Sequence, residues 1–157
     1  MARAGGLRGR AGWGESGAVS ETEHRPRVVQ TVLDAVDIRE LAEFYRLLFG
    51  LAYRPGDEPR PGEQPDWLVL RDPAAPGGHG LAFQQVDRLT PTTWPSGEVP
   101  QQLHLDCTVA DAAELARHGR RAVELGGRLL FDRSDDPQEP LLVFADPAGH
   151  PFCLFVG

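Results

Sequence analysis

The sequence contains no lysine: all 16 of its Lys/Arg positions are arginine. That excludes Schiff-base chemistry and a lysine general base. Only two cysteines occur, Cys107 and Cys153, and both fall in apolar segments that read as core strands. Nothing marks the disulfide framework of a small secreted domain, so reduced thiols in a cytoplasmic protein are expected. No stretch approaches the ~20 apolar residues needed to span a bilayer. There is no Ser/His/Asp arrangement and no Cys-x-x-Cys pair. The glycine run Gly77-Gly78-His79-Gly80 precedes a strand and not a helix, so it is no phosphate cradle. An excess of positive charge is lacking too. The formal net charge is −7, and residues 1–27, with five Arg and three Glu, carry +2 of it, which leaves −9 for the remainder. An acidic domain matches neither nucleic acid nor an anionic membrane.

What is present is enough for a core. A chain of 157 residues with 41% hydrophobic content fits one compact domain or two small packed modules. Residues 1–27 differ in kind. They are rich in Gly, Ala and Arg and lack the apolar block of about 7–15 residues of a secretory signal, so a disordered tail is expected there.

Arg27–Val36 is β-branched and apolar and reads as a strand. Asp37-Ile-Arg-Glu40 reads as a capping box that opens a helix to about Phe49, with Ile38, Leu41, Phe44/Tyr45 and Leu48 on one apolar face and Gly50 as the stop. Short strands follow at Leu51–Arg54, Trp67–Leu70 and Leu81–Val86, and a Pro/Gly-broken linker covers Asp87–Pro100. The second half replays this order. Strand Gln102–Val109 runs into a box at Asp111–Glu114 and a helix over Ala112–Leu125; strands then follow at Arg128–Phe131, Leu141–Phe144 and Phe152–Val156. Asp37-x-x-Glu40-Leu41-Ala42 matches Asp111-x-x-Glu114-Leu115-Ala116, and Leu68-Val69…Asp72-Pro73-Ala74 matches Leu142-Val143…Asp146-Pro147-Ala148, both at an offset of 74. The reading is an α+β fold of two tandem βαβββ modules, residues 28–90 and 101–157 joined by a linker at 91–100, with a curved mixed sheet around a cleft.

Three segments carry a resemblance: Phe44-Tyr45-Arg-Leu-Leu-Phe-Gly50-Leu51, Leu103-His104-Leu105-Asp106, and Phe144-Ala-Asp146-Pro147-Ala-Gly149-His-Pro-Phe152. In this order they resemble the vicinal oxygen chelate superfamily, the glyoxalase, bleomycin-resistance and extradiol-dioxygenase group, and most closely its small glyoxalase-like branch. The resemblance implies that catalytic members hold a divalent metal with four inward side chains, one from the first and one from the last strand of each module. The matching positions here are Gln30, Gln84, His104 and Cys153; counting the first module's last strand from Gly78 gives Ala82 in place of Gln84. Two amides, one imidazole and one thiol contain no carboxylate, an odd set for Mg, Mn or Fe(II), although a Cys thiolate can bind Zn; no cofactor is favoured, and the alternative is a divalent metal (Zn, Fe, Mn, Ni or Mg) on these four residues.

The expected function is therefore a glyoxalase-like protein that binds a small organic molecule in the inter-module cleft without metal, as a homodimer. Gln30, Gln84, His104, Asp106, Cys153 and Trp94 are expected to line that cleft, with Asp106 orienting the imidazole of His104 through Nδ1 and Trp94 as a lid. The alternative is a metal-dependent lyase, isomerase or dioxygenase-type enzyme. A third possibility is an accessory module whose cleft is plugged by Phe83, Phe152 or Trp94. Asp72 and Asp146 read as turn formers, and His79 and His150 as solvent-exposed turn residues.

Overall fold

The computed structural model describes residues 26–157. Most of the expected 1–27 tail thus lies outside the described residues. The elements run β1 (Gln30–Ala35), α1 (Ile38–Phe49), β2 (Ala52–Tyr53), β3 (Trp67–Arg71), β4 (Gly80–Gln85), β5 (Leu105–Val109), α2 (Ala112–Glu124), β6 (Arg128–Arg133), β7 (Leu141–Ala145) and β8 (Pro151–Val156). The repeat read from the sequence is the repeat of the fold. Two four-stranded sheets have orders β1-β4-β3-β2 and β5-β8-β7-β6. In each, the first strand pairs parallel to the last and the other pairs are antiparallel. Each module is βαβββ, and the sheets do not close into a barrel.

Both helices start as their boxes predict, but on one half of the box only. Asp37 accepts from the amide of Glu40 at 2.9 Å and Asp111 from that of Glu114 at 2.8 Å. Glu114 does not reach back; its carboxylate takes Arg117 and lies 3.2 Å from His118. Gly50 ends α1 with φ of 69°, a left-handed conformation that favours glycine.

Three strands are shorter than expected: β2 keeps only Ala52–Tyr53 of Leu51–Arg54, and β1 and β5 lose their first residues. β1 begins at Gln30, opposite the first residue of β4, its only partner among the described residues. β5 begins at Leu105 rather than Gln102, so His104 stands just outside the strand. The register pairs Leu105 with Phe152, and Pro151, next in line to face His104, has no N–H to extend the ladder. The irregular connection consequently runs from Val86 to His104.

One core serves both modules. Leu33, Phe44, Tyr45, Leu70 and Phe83 of the first module join Leu115, Leu142, Phe144, Phe152 and Leu154 of the second in a single buried cluster. Phe44 meets Phe152 edge-on at 5.7 Å, and Phe152 stacks on Phe144 at 5.3 Å. A polar tie reinforces this seam. Asp146, only 4% exposed, accepts through Oδ1 from the amides of Ala148, Gly149 and His150, and through Oδ2 from the hydroxyl of Tyr45 at 2.8 Å. Asp146 does form its turn, but it also fastens that turn to α1.

Candidate functional site

Strand alternation separates two faces. On β1, Leu33 and Ala35 enter the core, while Gln30, Val32 and Asp34 take the other face. On β5, Leu105, Cys107 and Val109 pack toward the core, and Asp106 and Thr108 are exposed opposite them. On β8, Phe152 and Leu154 are core residues, and Pro151, Cys153 and Phe155 alternate with them.

This outer face carries two adjoining cavities that meet at Gln101 and Pro151. The first, about 440 Å³, lies between the modules. Val32, Asp34 and Gln84 line one side, His150 another, and Leu89–Thr92 of the connection closes it. The second, about 380 Å³, lies over the second sheet and gathers Trp94, His104, Asp106, Glu139, Cys153 and Phe155.

The expected site residues therefore divide. Trp94, His104, Asp106 and Cys153 come together in the second cavity. Gln84 lines the first. Gln30 lines neither; its side-chain oxygen accepts from the Arg71 guanidinium at 2.7 Å. Gln30 pairs with Gly80 and Gln84 with Asp34, four positions apart, or about 13 Å along the strands. The two amides do not converge. His104 would face Pro151, two residues before Cys153, and Gln30 faces Gly80, two residues before Ala82. By backbone register the first-module counterpart of Cys153 is thus Ala82, which has no donor atom.

Around His104 the hydrogen bonds form a short row. The Cys153 thiol donates to Asp106 Oδ1 at 2.6 Å, and His104 Nε2 stands 3.4 Å from the same oxygen. Gln101 Nε2 lies 3.4 Å from His104 Nδ1. Asp106 therefore meets the imidazole at Nε2 and not, as expected, at Nδ1. Burial first, and the Asp106 carboxylate second, push the Cys153 thiol up to about 12. Burial and Asp106 do the same to Cys107, also to about 12. Burial and the Asp106 carboxylate favour the protonated thiol of Cys153, which donates to that carboxylate.

These residues do not fit a metal of the kind the resemblance implies. One of the four positions is alanine, one glutamine is held by an arginine, and the thiol is bonded to Asp106. What remains is an imidazole and a carboxylate, both about half exposed.

Trp94 is half-buried and meets Phe131 of β6 edge-on at 6.4 Å. The segment that carries it is internally fastened. Thr93 exchanges bonds with Val99 through its amide and its hydroxyl, and Thr92 Oγ1 donates to the Val99 carbonyl at 2.8 Å. Pro91 rests on Gly149, where a Cβ would lie 2.6 Å from the proline ring.

Among the lining residues that escaped the sequence reading are Phe155, Glu139, Gln101 and His150. Phe155 was findable, since it alternates with Cys153 on β8. Glu139 and Gln101 sit in irregular segments, where no period assigns a face. His150 is half-buried rather than exposed, and its Nε2 bonds the Asp34 carbonyl at 2.7 Å. Phe83 and Phe152, candidates to plug the cleft, belong to the core.

Comparison with known proteins agrees with this architecture. The model of the glyoxalase-like domain family matches residues 30–155. The chain belongs to that family. A glyoxalase/bleomycin resistance protein/dioxygenase family enzyme from Burkholderia phytofirmans PsJN superposes with a TM-score of 0.61 at 14% identity, covering 83% of this chain and 98% of that one. A glyoxalase-related enzyme from Fulvimarina pelagi gives 0.60 at 23% identity, over 85% and 89% of the two chains. The fosfomycin resistance protein FosX from Mesorhizobium loti gives 0.58 at 16% identity, over 84% and 92%. No curated protein matches by sequence. At such identities the likeness to these structures is one of fold alone; the family-model match over residues 30–155 is what supports the vicinal oxygen chelate superfamily. Among the described residues no helix is long and apolar enough to cross a membrane.

Proposed function

We propose that this glyoxalase-like protein binds a small organic molecule in the cleft over its second module, without a metal. The carrying observation is the second cavity, where Trp94 and Phe155 supply apolar surface and His104, Asp106 and Cys153 supply a short polar row at its floor. Apolar walls with a few convergent polar groups are what small-ligand sites are made of. The donor set, with Ala82 in the fourth position and Gln30 engaged by Arg71, supports a metal-free site. We further infer a cytoplasmic homodimer. Support for the dimer comes from the edges of β1 and β5, unpaired among the described residues, and from the apolar side chains exposed near the first of them, Val28, Val32 and Val36.

The test is elemental analysis of protein purified without chelator or metal-affinity steps, with His104→Ala beside it, followed by a thermal-shift screen of small organic compounds. Far less than one metal per chain is expected. A ligand at 100 times its Kd should stabilise by about 2.7 kcal/mol, which raises Tm by about 5–10 °C, and the gain should fall in His104→Ala. One metal per chain, lost in the mutant together with a metal-dependent turnover, would replace this reading with a lyase, isomerase or dioxygenase activity. Light scattering at two protein masses checks the dimer.

A further inference from the structure

The second cavity has a charge as well as a shape. Two carboxylates line it, Asp106 and Glu139, and among the described residues no arginine lines either cavity. Glu139 already has a cation, since Arg133 bonds it from the side and also approaches Asp136 at 3.6 Å. Asp106 has none. Its neighbours are the protonated Cys153 thiol and the His104 imidazole, and its side chain is 62% exposed. A carboxylate in that position is hydrated when the cavity is empty and is stripped of water when a ligand covers it, so it favours a ligand that brings a compensating positive charge. The walls point the same way. Trp94 and Phe155 line the cavity, and Phe131 backs the indole edge-on. Aromatic faces beside a carboxylate attract an organic cation through the ring quadrupole and accept its apolar body. The field beyond the cavity agrees, because the domain outside residues 1–27 carries a formal −9 of the chain's −7 total.

We propose that the ligand of this cavity is an organic cation, a protonated amine on an apolar and preferably aromatic body, with Asp106 as its counter-charge and Trp94 over its apolar part. This rests on the cleft being the ligand site, and it narrows the ligand to one charge class. A neutral or anionic ligand would leave Asp106 covered and uncompensated.

Three probes of one size and different charge test it: phenethylamine, 2-phenylethanol and 3-phenylpropanoate, titrated by calorimetry at pH 8, where the amine is protonated. The amine should bind at least tenfold more tightly than the alcohol, and the carboxylate should not bind. The advantage of the amine over the alcohol should shrink as salt is raised from 20 to 300 mM. In Asp106→Asn, its fold checked by circular dichroism, the amine should fall to the affinity of the alcohol. Equal binding of amine and alcohol to the unmodified protein, or tightest binding of the carboxylate, overturns the charge assignment and leaves the cleft reading standing. Binding of none of the three at millimolar concentration overturns both. An amine preference that persists in Asp106→Asn refutes Asp106 as the counter-charge.

Discussion

Replacing Tyr45 with phenylalanine removes one oxygen from a ring with no solvent exposure. The packing should survive. The ring's neighbours Phe44, Phe49 and Phe83, with centroids at 5.1, 5.4 and 6.0 Å, contact carbon atoms that the variant keeps. What is lost is the bond to Asp146 Oδ2 at 2.8 Å. A hydrogen bond to a charged partner contributes about 1.5–3 kcal/mol, and removing one side of it leaves a buried acceptor unpaired. Asp146 Oδ1 retains three backbone amides at 3.0, 2.8 and 2.9 Å, so the carboxylate is not abandoned and the lower part of that range applies. The expected loss is about 2 kcal/mol, which lowers Tm by about 4–8 °C and the urea midpoint by about 1 M for an m-value near 2 kcal/mol/M.

The loss should depend on pH with a definite sign. Burial holds the Asp146 carboxyl above the ordinary aspartate value, while His150, the Tyr45 hydroxyl and the backbone amides of Gly149 and His150 pull the other way. A carboxyl whose folded-state pKa is raised binds its proton more tightly when folded, so stability declines as pH rises from the unfolded value through the folded one. Tyr45→Phe removes a group that favours the ionised form. It raises the folded value further and steepens that decline. Urea unfolding followed by circular dichroism should therefore show a larger deficit at pH 7 than in acid below the raised value. A deficit under about 0.5 kcal/mol at pH 7, or one that grows as the carboxyl is protonated, would refute the idea that this bond ties the modules together.

Other substitutions probe the remaining links. Gly149→Ala places a Cβ at a φ of 99° and 2.6 Å from the Pro91 ring, so it should cost about 1–3 kcal/mol by thermal denaturation; an unchanged Tm would mean that the connection does not rest there. Phe152→Ala empties a fully buried position between Phe44 and Phe144 and should cost about 3–5 kcal/mol in urea. Both thiols, pushed up to about 12, should resist iodoacetamide at pH 7 in the native protein and react in urea, as read by mass spectrometry. Asp106→Asn should speed alkylation of Cys153, because it removes a carboxylate that holds the thiol protonated.

The fold was legible because its signals are local and doubled. Asp37 and Asp111 cap their helices as their spacing to Glu40 and Glu114 implies, and Gly50 ends α1 where it should. The site was legible only where a strand assigned its faces. Asp106 and Cys153 follow from alternation on β5 and β8, and the structure brings them into contact. Counting from a turn glycine was ambiguous by two residues, and strand pairing decides it for Ala82 over Gln84. Glu139 and Gln101 could not be placed because irregular chain has no period. Nor does an Asp-Pro turn announce that its carboxylate reaches a tyrosine 101 positions away.

The repeat is symmetric in backbone and unequal in chemistry, and this points to a division of labour between the modules. In the first, the outer-face position of β1 equivalent to His104 is Gln30, which is spent on Arg71, and the counterpart of Cys153 is Ala82, fully buried. Those residues consolidate the sheet and offer a ligand nothing. In the second, the same two positions keep an exposed imidazole and a thiol, joined by Asp106, and Trp94 stands over them. The connection from Val86 to His104 belongs to both modules, yet it places its one large aromatic over the second. The two modules share one core and a seam held by Tyr45 and Asp146, and on that base the proposed ligand cavity draws on the second module and on Trp94 and Gln101 of the connection.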